Sequence, residues 1–514
     1  MRLDQLSAAI TLICYAVLPC YAAGHGRRAV DAYAPQRATC PTSSIVRPAS
    51  SLATGEAQYI TARKVIADPA LASWLKKVND TFDTSLLPTL GLAGSSGGYR
   101  ALLNEAGILQ AMDARDSNSS VHGLYQAFIY HAALSGGGWL ATSLAAWNWP
   151  TISYLQKTVY EPNLQNGLLL PGGFYAPLAY AQTLADVTAQ AAAGYPVTAG
   201  DIYGRLLGYN LFPGPDGGVA LTMSGLTSSA NFTGHKVPYP IITSTGTNAS
   251  SSGNCTEPPD ATQYEYTPHE FGSWDKGVNS FVQMSYLGSN LTNGMVHGKC
   301  ASGFDNLGFV TASTSNVFGF LCDPLYSSAG DFASLADALQ SAILEVAGPA
   351  SSGLFNEIPN SFLEYTHASA VSSAKLLTFG DGDLSLQNDP IKNTFLQAEA
   401  QGLTKMPTIP PTSTFVAEAL GTQARFFGCK QPNTITIVWL PLVSYSSSAG
   451  SDISTFDIEV SEANTDSIIR NGNLIATQNN DLQWPTCLAC AISMKTAKSL
   501  PAACDACFAK HFVS

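Results

Sequence analysis

Ser135 stands between an apolar run, Phe128-Ile129-Tyr130, and three glycines, Gly136-Gly137-Gly138, beyond which the chain is apolar again from Trp139 to Trp147. A serine at a sharp turn from a buried strand into a helix can be presented as a nucleophile. The glycines let backbone approach a substrate, and the helix N-terminus offers free N–H groups. Taken alone, the motif also fits an ordinary glycine-rich turn. A second loop of the same form, Gly94-Ser95-Ser96-Gly97-Gly98-Tyr99-Arg100, follows the apolar stretch 89–93 and precedes Leu102, Leu103, Ala106, Leu109 and Met112 at helical spacing. This loop has neither the G-x-G-x-x-G of a dinucleotide site nor the Gly-Lys-Ser/Thr of a phosphate-binding loop. A third apolar run, Leu376-Leu377-Thr378-Phe379, ends at Gly380-Asp381-Gly382-Asp383.

Each of these residue types answers a need of acyl transfer. A serine hydroxyl must lose its proton to attack an ester carbonyl, and the Asp381 carboxylate at a strand end can take it. The tetrahedral oxyanion needs preorganised backbone donors, which Gly97 and Gly98 can provide without steric bulk. Arg100 can hold a phosphodiester through paired hydrogen bonds. Each residue has a plainer reading as well: Arg100 as an exposed helix-start residue, Asp381 as a turn residue or calcium ligand. A Ser-His-Asp triad is the competing arrangement. In the order serine, acid, histidine, only His511 lies beyond Asp381, and His367 could serve only with an earlier acid. That order counts against a triad.

Two strand–glycine loop–helix units within fifty residues imply an α/β fold with a parallel or mixed sheet and a site at strand C-terminal ends. Helical spacing is expected over 69–78, 178–192 and 332–346, with a further helix starting near Asp201. The stretch 43–61 has no clear period, 243–262 reads as a long surface loop, and 434–442 is β-rich. No internal repeat or composition break divides the 514 residues.

Hydrophobic residues make up 46% of the chain, enough for a sizeable core, while charged residues are only 12%, roughly half the usual share. Ser, Thr, Asn and Gly must therefore carry much of the polar surface, as in a secreted glycoprotein. Residues 6–18 are almost wholly apolar behind Arg2, with Ala22 and Ala23 following, so 1–23 is expected to be a signal peptide. Residues 24–39 are expected to form a leader or linker and 40–514 a single catalytic domain. Later apolar stretches are too short to cross a membrane, and the C-terminal residues do not resemble a lipid-anchor signal. Six N-x-Ser/Thr sequons begin at Asn79, Asn118, Asn231, Asn248, Asn254 and Asn290. A net charge of −12 without clustered Lys and Arg excludes a nucleic-acid partner and points to apolar or zwitterionic lipid contacts. Nine cysteines remain after the leader. Cys487, Cys490, Cys504 and Cys507 have nearly zinc-ribbon spacing, but a secretory leader favours disulfides, and the odd count implies one free thiol or an absent partner.

The chain resembles the fungal secreted phospholipase B (lysophospholipase) family, related to the catalytic domain of the cytosolic phospholipases of the A-two type. The resemblance runs from about Cys40 to Cys507. It is carried by Ser96-Gly97-Gly98-Tyr99-Arg100-Ala101-Leu102, Leu134-Ser135-Gly136-Gly137-Gly138-Trp139-Leu140 and Asp381-Gly382-Asp383 with Gln387-Asn388-Asp389-Pro390. Tyr264-Glu265-Tyr266-Thr267-Pro268-His269-Glu270, Ser302-Gly303-Phe304-Asp305-Asn306, Phe426-Phe427-Gly428-Cys429 and Trp484-Pro485-Thr486-Cys487 add to it.

The resemblance implies a three-layer, patatin-like mixed sheet with helices on both faces, loop elaborations and a disulfide-rich tail. It also implies a secreted or cell-wall-associated hydrolase of phospholipids and lysophospholipids at a lipid interface. That enzyme would work through an acyl-serine, without cofactor, metal or obligate protein partner. Ser135 would be the nucleophile, Asp381 the base, Gly97 and Gly98 the oxyanion hole, and Arg100 the phosphate ligand. Three departures stand out: Ala133 and Asp383 in place of family glycines, and a much shorter stretch over 391–406. Losing chain beside the base would be expected to displace Asp381, which is the ground for an alternative reading as a catalytically impaired lipid-binding glycoprotein.

Overall fold

The computed structural model describes residues 32–168, 171–173, 176–247, 260–316, 353, 355–382, 390–445, 453–455 and 457–513. The expected signal peptide, the expected helix over 332–346, Cys255, Cys322 and Asp383 lie outside the described residues.

The chain begins with two short strands, β1 (Gln36–Ala38) and β2 (Val46–Pro48), and a long helix, α1 (Thr54–Val78). This helix starts well before the expected 69–78. Its apolar face is interrupted by buried Glu56 and Arg63, which blurs the helical period, and Pro69 sits inside it. Proline at 69 deprives the Val65 carbonyl of its helical donor. Val65 is 73% exposed, so water can replace the missing bond.

Next come β3 (Leu90–Gly94), α2 (Gly98–Met112), β4 (Phe128–Ala133) and α3 (Ser135–Ala146), the two expected strand–loop–helix units. Helices α4 (Ala176–Ala192) and α5 (Ala199–Leu211) precede the strands β5 (Tyr239–Gly246), β6 (Gln263–Tyr266), β7 (Glu270–Ser273) and β8 (Ser280–Gln283). The expected surface loop over 243–262 is therefore corrected at its start: Ile242 to Thr245 pair with β6, and Ile242, Ser244 and Thr245 are buried. The small polar residues Thr243, Ser244 and Thr245 mask that strand in the sequence.

Strand β9 (Cys300–Ser302), helix α6 (Leu307–Ser313), strands β10 (Asn356–Pro359) and β11 (Leu376–Gly380) and helix α7 (Pro390–Ala400) follow. The chain closes with a β12–β13 hairpin (Arg425–Phe427, Ile437–Trp439) and helices α8 (Glu462–Thr477), α9 (Trp484–Ser493) and α10 (Ala503–His511).

Among the described residues nine strands form one mixed sheet, in the order β10-β11-β5-β6-β7-β8-β2, with the β3–β4 pair joined to β5. β3, β4 and β5 run parallel, and the other pairings are antiparallel. Successive side chains of a strand point to opposite faces. On β4, Tyr130 hydrogen-bonds Glu56 of α1 while His131 pairs with Glu105 of α2, so helices cover both faces. This is the expected three-layer arrangement.

The stretch expected to be linker through residue 39 is partly built into this body. Tyr33 is buried, its hydroxyl donates to Asp201 at 2.9 Å, β1 pairs with β9, and Cys40 is bridged to Cys300. In the tail, Cys487 pairs with Cys507 and Cys490 with Cys504, joining α9 to α10. Cys429 is buried as a free thiol, and burial pushes its pKa up to about 11.

Candidate active site

β4 and β11 share one edge of β5, tip to tip. β4 pairs with residues Tyr239 to Ile242, and β11, running the other way, pairs with Thr245 and Gly246. The chain leaving β4 is Leu134-Ser135, and the chain leaving β11 is Asp381-Gly382. They meet in the gap beside Thr243 and Ser244, where Ser135 Oγ donates to Asp381 Oδ2 at 2.8 Å. Both residues are almost fully buried.

Ser135 has a φ of 49°, a left-handed conformation that costs a residue with a side chain about 1–2 kcal/mol. Its surroundings hold it there. Its N–H donates at 3.0 Å both to the Thr314 carbonyl and to Thr314 Oγ1. The same Thr314 carbonyl accepts from Gly382 N–H at 3.2 Å, and the Asn316 carbonyl accepts from Asp381 N–H at 3.0 Å. Thr314 Oγ1 in turn donates to the Thr243 carbonyl in the gap. Residues 314–316, just after α6, therefore clamp both partners. No sequence motif marks them, because their work is done mainly by main-chain carbonyls.

These restraints also explain why the short 391–406 stretch leaves Asp381 beside Ser135. The placing contacts come from β5 and from 314–316, upstream of the shortened chain. Helix α7 packs elsewhere, with Ile391 in a small separate cluster with Ile409, Phe415 and Phe427.

Gly97 and Gly98 turn the chain from β3 into α2 with φ of 133° and 58°. The first N–H groups of a helix have no intrahelical acceptor, so those of Gly98, Tyr99 and Arg100 precede the first such bond, from Ala101 N–H to the Gly97 carbonyl at 3.3 Å. The elbow approaches them closely. A Cβ at Gly136 would lie 2.2 Å from the Gly98 carbonyl oxygen and 2.8 Å from its nitrogen. Beneath the elbow, a Cβ at Gly94 or Gly137 would strike the Glu105 carboxylate, whose Oε1 lies 2.9 Å from His131 Nε2. Glu105 and His131 thus back the turn from the core side, a contact not signalled by any local pattern.

Arg100 folds back over Gly97 and is engaged by the chain near residue 455. Its Nη2 donates to Thr455 Oγ1 at 2.7 Å and its Nη1 to the Ile453 carbonyl at 3.4 Å. Thr455 joins Ser135 and Gly98 in lining a cleft formed also by Tyr99, Trp139, Leu168, Tyr203, Ser315, Asp457 and Ile458. Tyr99 and Tyr203 are fully buried, and desolvation raises both phenol pKa values well above the ordinary range, so both remain neutral donors. Trp139 Nε1 is fixed on Ser315 Oγ at 2.8 Å.

The structure thus places Ser135 and Gly98 in the cleft lining, with Asp381 hydrogen-bonded to Ser135 and Arg100 to the lining residue Thr455, while Gly97 stands next to the lining at Gly98. The histidines a triad would require are placed elsewhere: His511 packs on Trp484 with Nδ1 at the Ala424 carbonyl, and His367 lies against Tyr365. Among the described residues no group of three or more His, Cys, Asp or Glu could hold a metal ion, and no helix is long and apolar enough to cross a membrane.

Comparison with known proteins supplies independent findings. The lysophospholipase catalytic domain family matches residues 90–399 and 392–514. The chain is 32% identical to lysophospholipase 2 of Aspergillus fumigatus, covering 93% of this chain and 92% of that protein. It is 31% identical to lysophospholipase 1 of Saccharomyces cerevisiae, covering 94% and 83%. Human GIVD cytosolic phospholipase A2 has a similar fold, with a TM-score of 0.67 at 17% identity over 89% of this chain and 69% of that one. Its complex with methyl gamma-linolenyl fluorophosphonate aligns with a TM-score of 0.58 at 18% identity, over 89% of this chain and 67% of that one.

Proposed function

The chain belongs to the lysophospholipase catalytic domain family, an enzyme of lipid-ester hydrolysis, and we propose that it works through a Ser135–Asp381 dyad and an acyl-serine intermediate. The observation that carries this reading is the 2.8 Å hydrogen bond from Ser135 Oγ to Asp381 Oδ2 in a buried cleft beside a free helix N-terminus.

In the first half-reaction the proton of Ser135 passes to Asp381 as Oγ bonds the ester carbonyl carbon. The negative charge moves to the carbonyl oxygen, where the N–H groups of Gly97 and Gly98 stabilise it. The intermediate collapses by breaking the bond to the glycerol oxygen, which leaves with the proton from Asp381. Water then attacks the acyl-serine, giving one proton to Asp381. Fatty acid departs and the proton returns to Ser135. Arg100 would hold the lipid phosphate, displacing its contacts to Thr455 and Ile453.

Secretion belongs to the same proposal: a signal peptide over 1–23, a mature catalytic chain and N-linked glycans. Of the described sequons, Asn118 and Asn290 are exposed, whereas the Asn231 side-chain nitrogen is bonded to the Asn148 carbonyl at 2.7 Å. Asn118 and Asn290 are therefore the best glycan acceptors among them.

The test is release of fatty acid from lysophosphatidylcholine by purified protein in excess chelator, together with labelling by a lipid fluorophosphonate. Mass spectrometry should find the label on Ser135. Labelling elsewhere, or fatty-acid release undiminished in Ser135→Ala, would sink the dyad.

A further inference from the structure

Thr455 and Asp457 line the cleft, and Thr455 holds the proposed phosphate ligand Arg100. The segment after them is tied down by main-chain bonds: Leu168 N–H donates to the Ile458 carbonyl at 2.7 Å, and Val460 N–H to the Leu164 carbonyl at 3.0 Å. A Cβ at Gly98 would come within 2.4 Å of the Thr455 carbonyl oxygen, so the crossing is close. Asp457 closes the turn on itself. Its Oδ2 accepts from Ser454 N–H at 2.9 Å, and its own N–H donates to the Ser454 carbonyl at 3.2 Å. Asp457 is exposed at the mouth of the same cleft that holds Ser135, two residues from the hydroxyl that holds Arg100.

Asp457 therefore lines the cleft as an anion, and the Arg100 cation stands behind Thr455, another lining residue. A phosphodiester taking the place of Thr455 at Arg100 would lie one turn of chain from Asp457, within reach of a headgroup a few bonds long. Resting on the assignment of phosphate to Arg100, we infer that this turn reads the headgroup, with Thr455 donating to a phosphate oxygen and Asp457 receiving an ammonium group. The substrates favoured are lysophospholipids with a cationic headgroup, such as choline or ethanolamine, over those with a neutral or anionic one.

The Ser454 bond fixes the carboxylate before substrate arrives, so little ordering is needed on binding. The site is solvent-exposed, so the pairing is modest and salt-screened, and discrimination of about fivefold is expected.

The test compares kcat/KM for lysophosphatidylcholine and lysophosphatidylglycerol of one acyl chain, at low salt. Wild type should prefer the choline lipid. Asp457→Asn keeps an acceptor for Ser454 N–H while removing the charge, and should lower that preference by about fivefold. Asp457→Lys should reverse it. Glu459→Gln removes an equal charge from an exposed residue outside the cleft lining and should leave the ratio at the wild-type value. An unchanged ratio in Asp457→Asn, or an equal shift in Glu459→Gln, overturns the inference while leaving the dyad intact. Absence of wild-type hydrolysis of both lipids overturns the dyad and the headgroup reading together.

Discussion

The junction of Ser135 with Asp381 and the pair of helices α9 and α10 solve the same problem by different means. At the junction, two residues 246 positions apart are brought within hydrogen-bond distance without any covalent link. The alignment comes from two strand tips on one edge of β5 and from the carbonyls of Thr314 and Asn316. In the tail, cysteines only 20 and 14 positions apart are joined covalently beside Trp484 and Phe426, at a part of the main core. The junction accepts a left-handed serine and a buried carboxylate, both unfavourable for stability, because they are useful for chemistry. The tail's cross-links act by restricting the unfolded chain.

This contrast can be broken by experiment. The largest effect is expected from Ser135→Ala, which should lower kcat about a millionfold, by analogy with other serine hydrolases, without lowering Tm. A fall in Tm of several degrees would mean that the serine also stabilises the fold. Asp381→Asn keeps a hydrogen-bonding partner for Ser135 but cannot take its proton, and should cost about ten-thousandfold in kcat. Retained activity in that variant would point to a different base.

Replacing Cys487 and Cys507 together by serine should reverse the pattern. The loop-entropy estimate is about 3 kcal/mol of stability, a factor of more than a hundred in the folding equilibrium, read by denaturant titration. The variant's kcat/KM at low temperature should match wild type, and a parallel loss of activity would show that the tail is coupled to the cleft.

The smallest change, about tenfold in kcat, is expected from Thr314→Val, which removes the hydroxyl between Ser135 N–H and the Thr243 carbonyl but keeps the main-chain carbonyl. Thr314→Ser should restore the rate and KM should change little. A purely structural role would instead lower Tm without this rescue.

The sequence exposed the chemical residues more readily than their supports. Ser135, Gly97, Gly98, Arg100 and Asp381 each sit where an apolar run meets glycine, a pattern contained within a few residues. Thr314 and Asn316 escaped notice because carbonyl groups are common to every residue. Glu105 with His131 escaped because a buried side-chain hydrogen bond leaves no spacing rule between residues 26 apart. Similarly, Gly107 and Gly472 permit α2 and α8 to cross backbone to backbone: a Cβ at Gly107 would lie 2.0 Å from the Ile469 carbonyl oxygen. Their place in separate helices hides that contact from any local reading.

By itself the sequence determined which segments alternate or repeat as strand and helix, where glycine allows a sharp turn, and which side chains are able to exchange a proton. Those properties depend on covalent structure and neighbours a few residues away. Only the tertiary structure decided that β11 runs against β4 along β5, so that two strand ends face each other and Ser135 meets Asp381. Strand direction and register arise from pairing between distant segments and from burial of whole faces, which are properties of the packed sheet as a unit.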